Sequence, residues 1–266
     1  MRQKILGYMG GAMDGDGHFG ITAHPYVAAT IDLVGESRQL MNWTVEHFGG
    51  TFKKNTIPSG KDFYRWDMYG KNARIQFLDE LIPYLVIKHE QAKIIREFLN
   101  IDRGNYNPEL RYSFVEKIRA SRASGSVETD MQGSLKIASS YTAGLIDTDG
   151  HIRICELKNG PCAGKIRTGI EVVNICKPAL SLLQREYGGS LLKKTDSINS
   201  QNWHQRYRWI VTSRKEQERV LLSVIPYLIV KRDRAISLLE HLRSEMKIQP
   251  DTMGDHGREP AEMLAS

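Results

Sequence analysis

The chain has 266 residues, a net charge of +6 and a sequence pI of about 9.1. Its 41% hydrophobic content and mean hydropathy of −0.40 fit a soluble globular protein with room for two domains, each able to bury a core. The longest apolar run, around VLLSVIPYLIV (220–230), is too short to span a bilayer, and no small-residue cleavage site follows Met1 as a secretory signal would require.

The first element lies in ILGYMGGAMDGDGHFGI (5–21), where Ile5 to Met13 is apolar enough for a buried helix. Gly7, Gly10 and Gly11 weaken that helix by about 1 kcal/mol each against Ala, and it ends in Asp14 and Asp16. HFGITAH and YVAATIDLV follow as strands, broken at His24-Pro25. Ser37 is placed to N-cap RQLMNWTVEHF, which stops at Gly49-Gly50. TFKKN and DFYRWDMY flank a turn around Pro58-Ser59-Gly60 and form a second hairpin. KNARIQFLDELIPYL is an amphipathic helix, and KHEQAKIIREFL is the next. NPELRYSFVEKIRASRA (107–123) adds one further helix, and SGSVETDMQG (124–133) has linker composition.

The chain then repeats itself. Laid without gaps on IASSYTAGLIDTDGHIRI (137–154), Gly11 falls on Gly144, Asp14 on Asp147, Asp16 on Asp149, Gly17 on Gly150 and His18 on His151, an offset of 133. EHFGGTF (46–52) returns as REYGGSL (185–191) at 139, and YRW and IPYLVIK (82–88) return as YRW and IPYLIVK (225–231) at 143. The register grows stepwise, as when loops lengthen while elements stay fixed. The second copy therefore reads as elements at 151–158, 165–174, 178–187, 190–195, 205–213, 215–228 and 231–246. This predicts an α+β fold of two pseudo-symmetric αββαββα repeats, each an antiparallel sheet packed under helices. The divisions are 1–122 for the first repeat with its extra helix, 123–134 for the linker and 135–246 for the second repeat. The polar tail, 247–266, is expected to be disordered.

The weak helices make sense as partners. Gly7 and Gly11, and likewise Ser140 and Gly144, form small-residue stripes along which two helices can approach backbone to backbone. Side-by-side packing brings Asp16 and Asp149 together at helix C-termini, where the macrodipole already disfavours negative charge. Two acids there call for a cation, and a hard oxygen-ligand site for Mg²⁺, completed by phosphate oxygens and water, meets that need. In the YRW strands alternation separates Trp66 and Met68 from Arg65 and Asp67, and Trp209 and Val211 from Arg208. The face opposite the tryptophans, with its rims, then carries Lys53, Lys54, Lys61, Arg65, Lys193, Lys194, Arg206 and Arg208. Strand ribbons of this kind can enter a DNA major groove. A carboxylate-held metal between two basic sheets points to phosphodiester hydrolysis.

TAGLIDTDG (142–150) resembles the motif that names the LAGLIDADG homing endonucleases, differing at two of nine letters, and MGGAMDGDG (9–17) is a looser copy. The resemblance extends over nearly the whole chain and is to the single-chain, two-motif branch. It implies a saddle of two sheets on double-stranded DNA, the motif helices over the central minor groove, and site-specific double-strand cleavage by a monomer. The matching acids, Asp16 and Asp149, would bind Mg²⁺, with the carbonyls of Gly15 and Thr148 assisting. Mn²⁺ would substitute, and Ca²⁺ would bind without supporting cleavage. Asp14 and Asp147 match a structural, capping acid. Lys88 and Lys231 match lysines near the scissile phosphates. Where the family often has a polar residue organising the attacking water, this chain offers Gly35-Glu36 in one half and Asn174 in the other, a departure from symmetry. His18 and His151 imply no zinc, because the family uses hard metals. Cys155, Cys162 and Cys176 are odd in number and lack ligand spacing, which suits free thiols in a reducing intracellular compartment. Other functions on the same fold are an intron maturase binding intron RNA and a DNA-binding protein without cleavage.

Overall fold

The computed structural model describes residues 1–22, 28–57, 59–102, 107–124, 138–159, 161, 163–194 and 205–248. The first half runs α1 (Arg2–Asp16), β1 (Gly17–Thr22), β2 (Ala28–Gly35), α2 (Arg38–Phe48), β3 (Thr51–Thr56), β4 (Asp62–Asp67), α3 (Lys71–Leu81), a 3-10 turn (Ile82–Tyr84) and α4 (His89–Asn100). The extra helix is α5 (Pro108–Ser124). The second half repeats the order as α6 (Ser139–Asp149), β5 (Gly150–Glu156), β6 (Ile166–Asn174), α7 (Lys177–Tyr187), β7 (Ser190–Lys194), β8 (Arg206–Val211), α8 (Arg214–Val224) and α9 (Arg232–Ile248). Ala123 and Ser124, read as the start of the linker, close α5; the rest of the linker and the tail beyond 248 lie outside the described residues.

Each half holds a four-stranded antiparallel sheet, in the orders β1-β2-β4-β3 and β5-β6-β8-β7. One face of each sheet is buried. Phe19, Ile31, Leu33 and Trp66 line it in the first half, and Ile152, Ile170, Val172 and Trp209 in the second. Each tryptophan donates its indole N–H to a glycine carbonyl at a helix end, Trp66 to Gly49 and Trp209 to Gly188, at 2.8 Å in both cases. The bulky apolar group is thereby buried without stranding its donor. Ser37 caps α2 as expected, its Oγ accepting from the Leu40 N–H at 3.3 Å.

Two helices stop earlier than their apolar pattern suggests. The helix read through Leu85 ends at Leu81, and the one read as 215–228 ends at Val224. Pro83 and Pro226 have no N–H to extend the α ladder. The chain tightens instead, with Leu85 N–H on the Ile82 carbonyl and Tyr227 N–H on that of Val224. The backbone N–H groups just beyond these breaks become available to side chains from elsewhere.

α1 and α6 form the seam between the halves. A Cβ added at Gly11 would lie 2.0 Å from the Tyr141 carbonyl oxygen, and one at Gly144 would lie 2.0 Å from that of Tyr8. At Gly7 the neighbour is Ser140 Oγ at 2.4 Å, and at Gly15 it is Thr148 Oγ1 at 2.1 Å. The helices touch backbone to backbone at Gly11 and Gly144, and backbone to small side chain at Gly7 and Gly15. Glycine is needed because nothing larger fits, and the contact compensates for poor helix propensity.

Candidate active site and nucleic-acid interface

The two acids of each motif separate cleanly in role. Asp14 is buried and points at the break before α4, where its carboxylate accepts the N–H groups of Val86, Ile87 and Lys88 at 2.7, 2.9 and 2.8 Å. Asp147 does the same in the second half, accepting from Ile229, Val230 and Lys231 at 2.7, 3.1 and 2.8 Å. Each holds the turn that precedes the next helix, whose own N-cap, Lys88 in the first half, has no side-chain cap bond. Burial raises the Asp14 pKa and the three backbone N–H groups oppose it. A fourth partner crosses the seam. Tyr141 donates to Asp14 at 2.8 Å and Tyr8 to Asp147 at 2.7 Å, so each half's tyrosine braces the other half's turn.

The turns fix their last residue, the lysine. Lys88 Nζ donates to the carbonyls of Met13, Gly15 and Gly17 at 2.8, 2.8 and 2.7 Å. Lys231 Nζ donates to those of Ile146, Asp147 and Gly150 at 2.7, 2.8 and 2.8 Å, with Thr148 at 3.2 Å. Each ammonium thus gathers carbonyls at a motif-helix C-terminus, where the dipole favours a cation; those of Met13 and Ile146 also accept the backbone N–H of Gly17 and Gly150. Burial lowers the pKa of both lysines, and the neighbouring acids pull it back up. Removing either ammonium deprives these carbonyls of a charged donor. We therefore expect Lys231→Met to lower the unfolding midpoint by the equivalent of about 1–3 kcal/mol. We also expect it to slow single-turnover DNA cleavage at least about tenfold. An unchanged melting temperature would remove the anchoring role, and unchanged cleavage the catalytic one.

Asp16 and Asp149 end the two motif helices. Burial, followed by the charge of Asp149, raises the Asp16 pKa to about 6. Burial also raises Asp149, but Asn174 Nδ2 donates to its Oδ2 at 2.8 Å and favours the charged form. The two acids titrate as a coupled pair, and only Asp149 has an amide donor favouring its charged form. The equivalent of Asn174 in the first half is Gly35, which has no side chain; the adjacent Glu36 pairs instead with Lys61 at 2.5 Å. Among the described residues no three His, Cys, Asp or Glu side chains gather as a metal cluster.

The open sheet faces hold most of the expected basic residues, but not all. Register puts Lys53 opposite Arg65, and Lys194 opposite Arg206 with Arg208 next on the same face. Lys54 stands opposite Tyr64 and Lys193 opposite Tyr207, on the tryptophan side, so these two lie at the rim under the helices. Lys54 pairs there with Asp62 at 2.7 Å. Lys61 lies just before β4, exposed. Near the seam the open faces carry ion pairs that the sequence reading had not joined. Arg65 reaches the buried Asp32 at 2.9 Å and Asp67 at 3.1 Å, and Arg153 reaches Glu171 at 3.0 Å. His18 sits across from Asp32, and His151 across from Glu171.

No protein-family model and no curated protein sequence matches the chain. Solved structures do. The I-LtrWI LAGLIDADG homing endonuclease bound to target DNA aligns with 14% identity over 93% of this chain and 92% of that one, at a TM-score of 0.66. The LAGLIDADG homing endonuclease I-GzeII in complex with its DNA target aligns with 13% identity over 93% of each chain, also at 0.66. I-SmaMI bound to cleaved DNA aligns with 14% identity over 91% and 90%, at 0.64. The protein has the fold of the LAGLIDADG homing endonucleases, with both copies of the motif carried on one chain.

Proposed function

We propose that this chain is a site-specific endonuclease that makes double-strand breaks in a long asymmetric DNA target, acting as a monomer with divalent metal. The observation that carries the reading is the pairing of Asp16 and Asp149 at adjacent helix ends, between two open sheet faces bearing Lys53, Arg65, Lys194, Arg206 and Arg208. Similar structures belong to homing endonucleases with DNA bound.

The donor set fits a hard cation. Two partly desolvated carboxylates, one raised above its ordinary pKa by burial and by the other's charge, gain from a cation between them. Among the described residues no third acidic side chain joins the group, so phosphate oxygens and water would complete the shell, which suits Mg²⁺ or Mn²⁺. The carbonyls of Gly15 and Thr148 already accept from Lys88 and Lys231 and have a second lone pair each. The metal would supply Lewis acidity and an activated water. The chain's own part is positional. Asp16 and Asp149 hold the cation, the lysines fix the carbonyls around it, and Asn174 orients Asp149. The sheets grip the duplex through phosphate and base contacts.

The halves diverge where they would read bases. On the open face Lys53 stands where the second half has Leu192, and Asn55 where it has Lys194, whereas the rim lysines Lys54 and Lys193 match. Incubating the protein with a randomised plasmid library and Mg²⁺ should release ends that share one long, non-palindromic sequence. The mass of the DNA complex should correspond to a single chain. A palindromic consensus or two chains per site would overturn the monomer reading, and no cleavage with Mg²⁺ or Mn²⁺ would overturn the endonuclease.

A further inference from the structure

Beside the paired acids lie two cavities, and each is built from both halves. The first, about 530 Å³, brings His18, Lys88, Ser121 and Arg122 together with Asn174 and Tyr207. The second, about 400 Å³, brings Asp16, Glu36 and Phe63 together with Thr148 and Lys231. The seam relates them, but one element breaks the symmetry: α5 reaches only the first, and it has no counterpart among the described residues of the second half.

α5 is firmly seated. Ile118 and Phe114 are buried, Phe114 packs edge-on to Phe98 at 5.3 Å, and Lys117 pairs with Glu97 at 3.2 Å. This fixes its last turn, and with it Arg122, at the cavity rim. Arg122 makes no hydrogen bond or ion pair among the described residues. Lys88 and His18 line the same cavity. The one acid among the described lining residues, Asp14, is already occupied by three backbone N–H groups and the Tyr141 hydroxyl. A guanidinium held at this rim without a partner among the described residues matches a phosphate with two parallel N–H bonds.

We propose that Arg122 binds a backbone phosphate of one DNA strand beside the Lys88 site, and that the two strands are cut at unequal sites. The second cavity instead has the carboxylate of Glu36, paired with Lys61, among its lining groups. This inference rests on the endonuclease reading for its strand asymmetry, but not for its phosphate contact.

The test uses the full chain, a target with each strand labelled separately, and the variants Arg122→Ala and Arg122→Lys. In single turnover, Arg122→Ala should slow cleavage of one strand about tenfold and leave the other within about twofold, so that a nicked intermediate accumulates. The slope of log K against log salt should become shallower by about 0.9, the loss of one phosphate contact. Arg122→Lys should restore the slope, because a point charge still binds phosphate, and the melting temperature should not move. An unchanged salt slope, or equal slowing of both strands, overturns the proposal. If the parent protein cuts no DNA, the endonuclease reading fails, and the salt slope alone decides Arg122.

Discussion

Asp149→Asn is expected to lose at least about a hundredfold in single-turnover double-strand cleavage, equivalent to about 2.7 kcal/mol of transition-state stabilisation, while DNA affinity stays close to the parent's. The substitution preserves shape and removes only charge. In the parent, part of the rise of Asp16 to about 6 comes from Asp149, after burial. Neutralising Asp149 relieves that repulsion, so the variant should fold at least as well as the parent and its Asp16 should titrate lower. A loss of activity without a loss of stability separates a metal ligand from a packing residue. The pH dependence follows with a definite sign. The cation needs the carboxylate form of Asp16, and a raised pKa means that protons compete for it in mildly acid solution. Parent cleavage should therefore increase as pH rises through about 6, and Mg²⁺ binding near that pH should release protons measurable by calorimetry in buffers of different ionisation enthalpy. Asp149→Asn cleaving at the parent's rate would withdraw the assignment.

How much of this was legible beforehand depends on the range of each interaction. Periodicity and repetition reach a few residues along the chain or a fixed offset between copies, and they recovered the element order, the Ser37 cap and the burial of Trp66 and Trp209. The partners of Asp14 lie at 86–88, more than seventy positions away, on N–H groups freed by Pro83. No local pattern announces that. The structural role came from resemblance, although it is exercised on the turn and not as a helix cap. The crossed tyrosines were missed although the ungapped repeat alignment places Tyr8 on Tyr141. A matched tyrosine on a helix otherwise read for its glycines was a usable signal. Strand alternation gave the correct face for Arg65 and Arg208. It could also have shown that adjacent lysines such as Lys53 and Lys54 cannot share one face, once Trp66 fixed the phase. That Asp32 would meet Arg65 needed the pairing of β2 with β4, which alternation within either strand does not contain.

Gly144→Ala is expected to destabilise the protein severely, against the usual sign of the change. In an ordinary helix interior the substitution favours folding by about 1 kcal/mol, because alanine is the better helix former. Here the new methyl would lie 2.0 Å from the Tyr8 carbonyl oxygen and 2.8 Å from the Ala12 nitrogen. Both atoms belong to a buried helix backbone that cannot rotate aside as a side chain would. Relief requires α1 and α6 to separate, and separation lengthens the Tyr8–Asp147 and Tyr141–Asp14 bonds that brace the turns ending in the two lysines. A cost of about 4 kcal/mol or more is expected, an exceptional value for one methyl and a large share of the stability of a typical domain. Gly11→Ala should behave alike, since its methyl would meet the Tyr141 carbonyl oxygen at the same distance. Gly169→Ala is the control. Its nearest neighbour would be the Val211 carbonyl oxygen at 3.5 Å, an ordinary contact, so its stability should stay within about 1 kcal/mol of the parent's. Denaturant unfolding of the three variants decides the matter. If Gly144→Ala and Gly169→Ala unfold at the same midpoint, the backbone seam between the halves is not where the fold is held, and the placement of Asp16 beside Asp149 loses its structural basis.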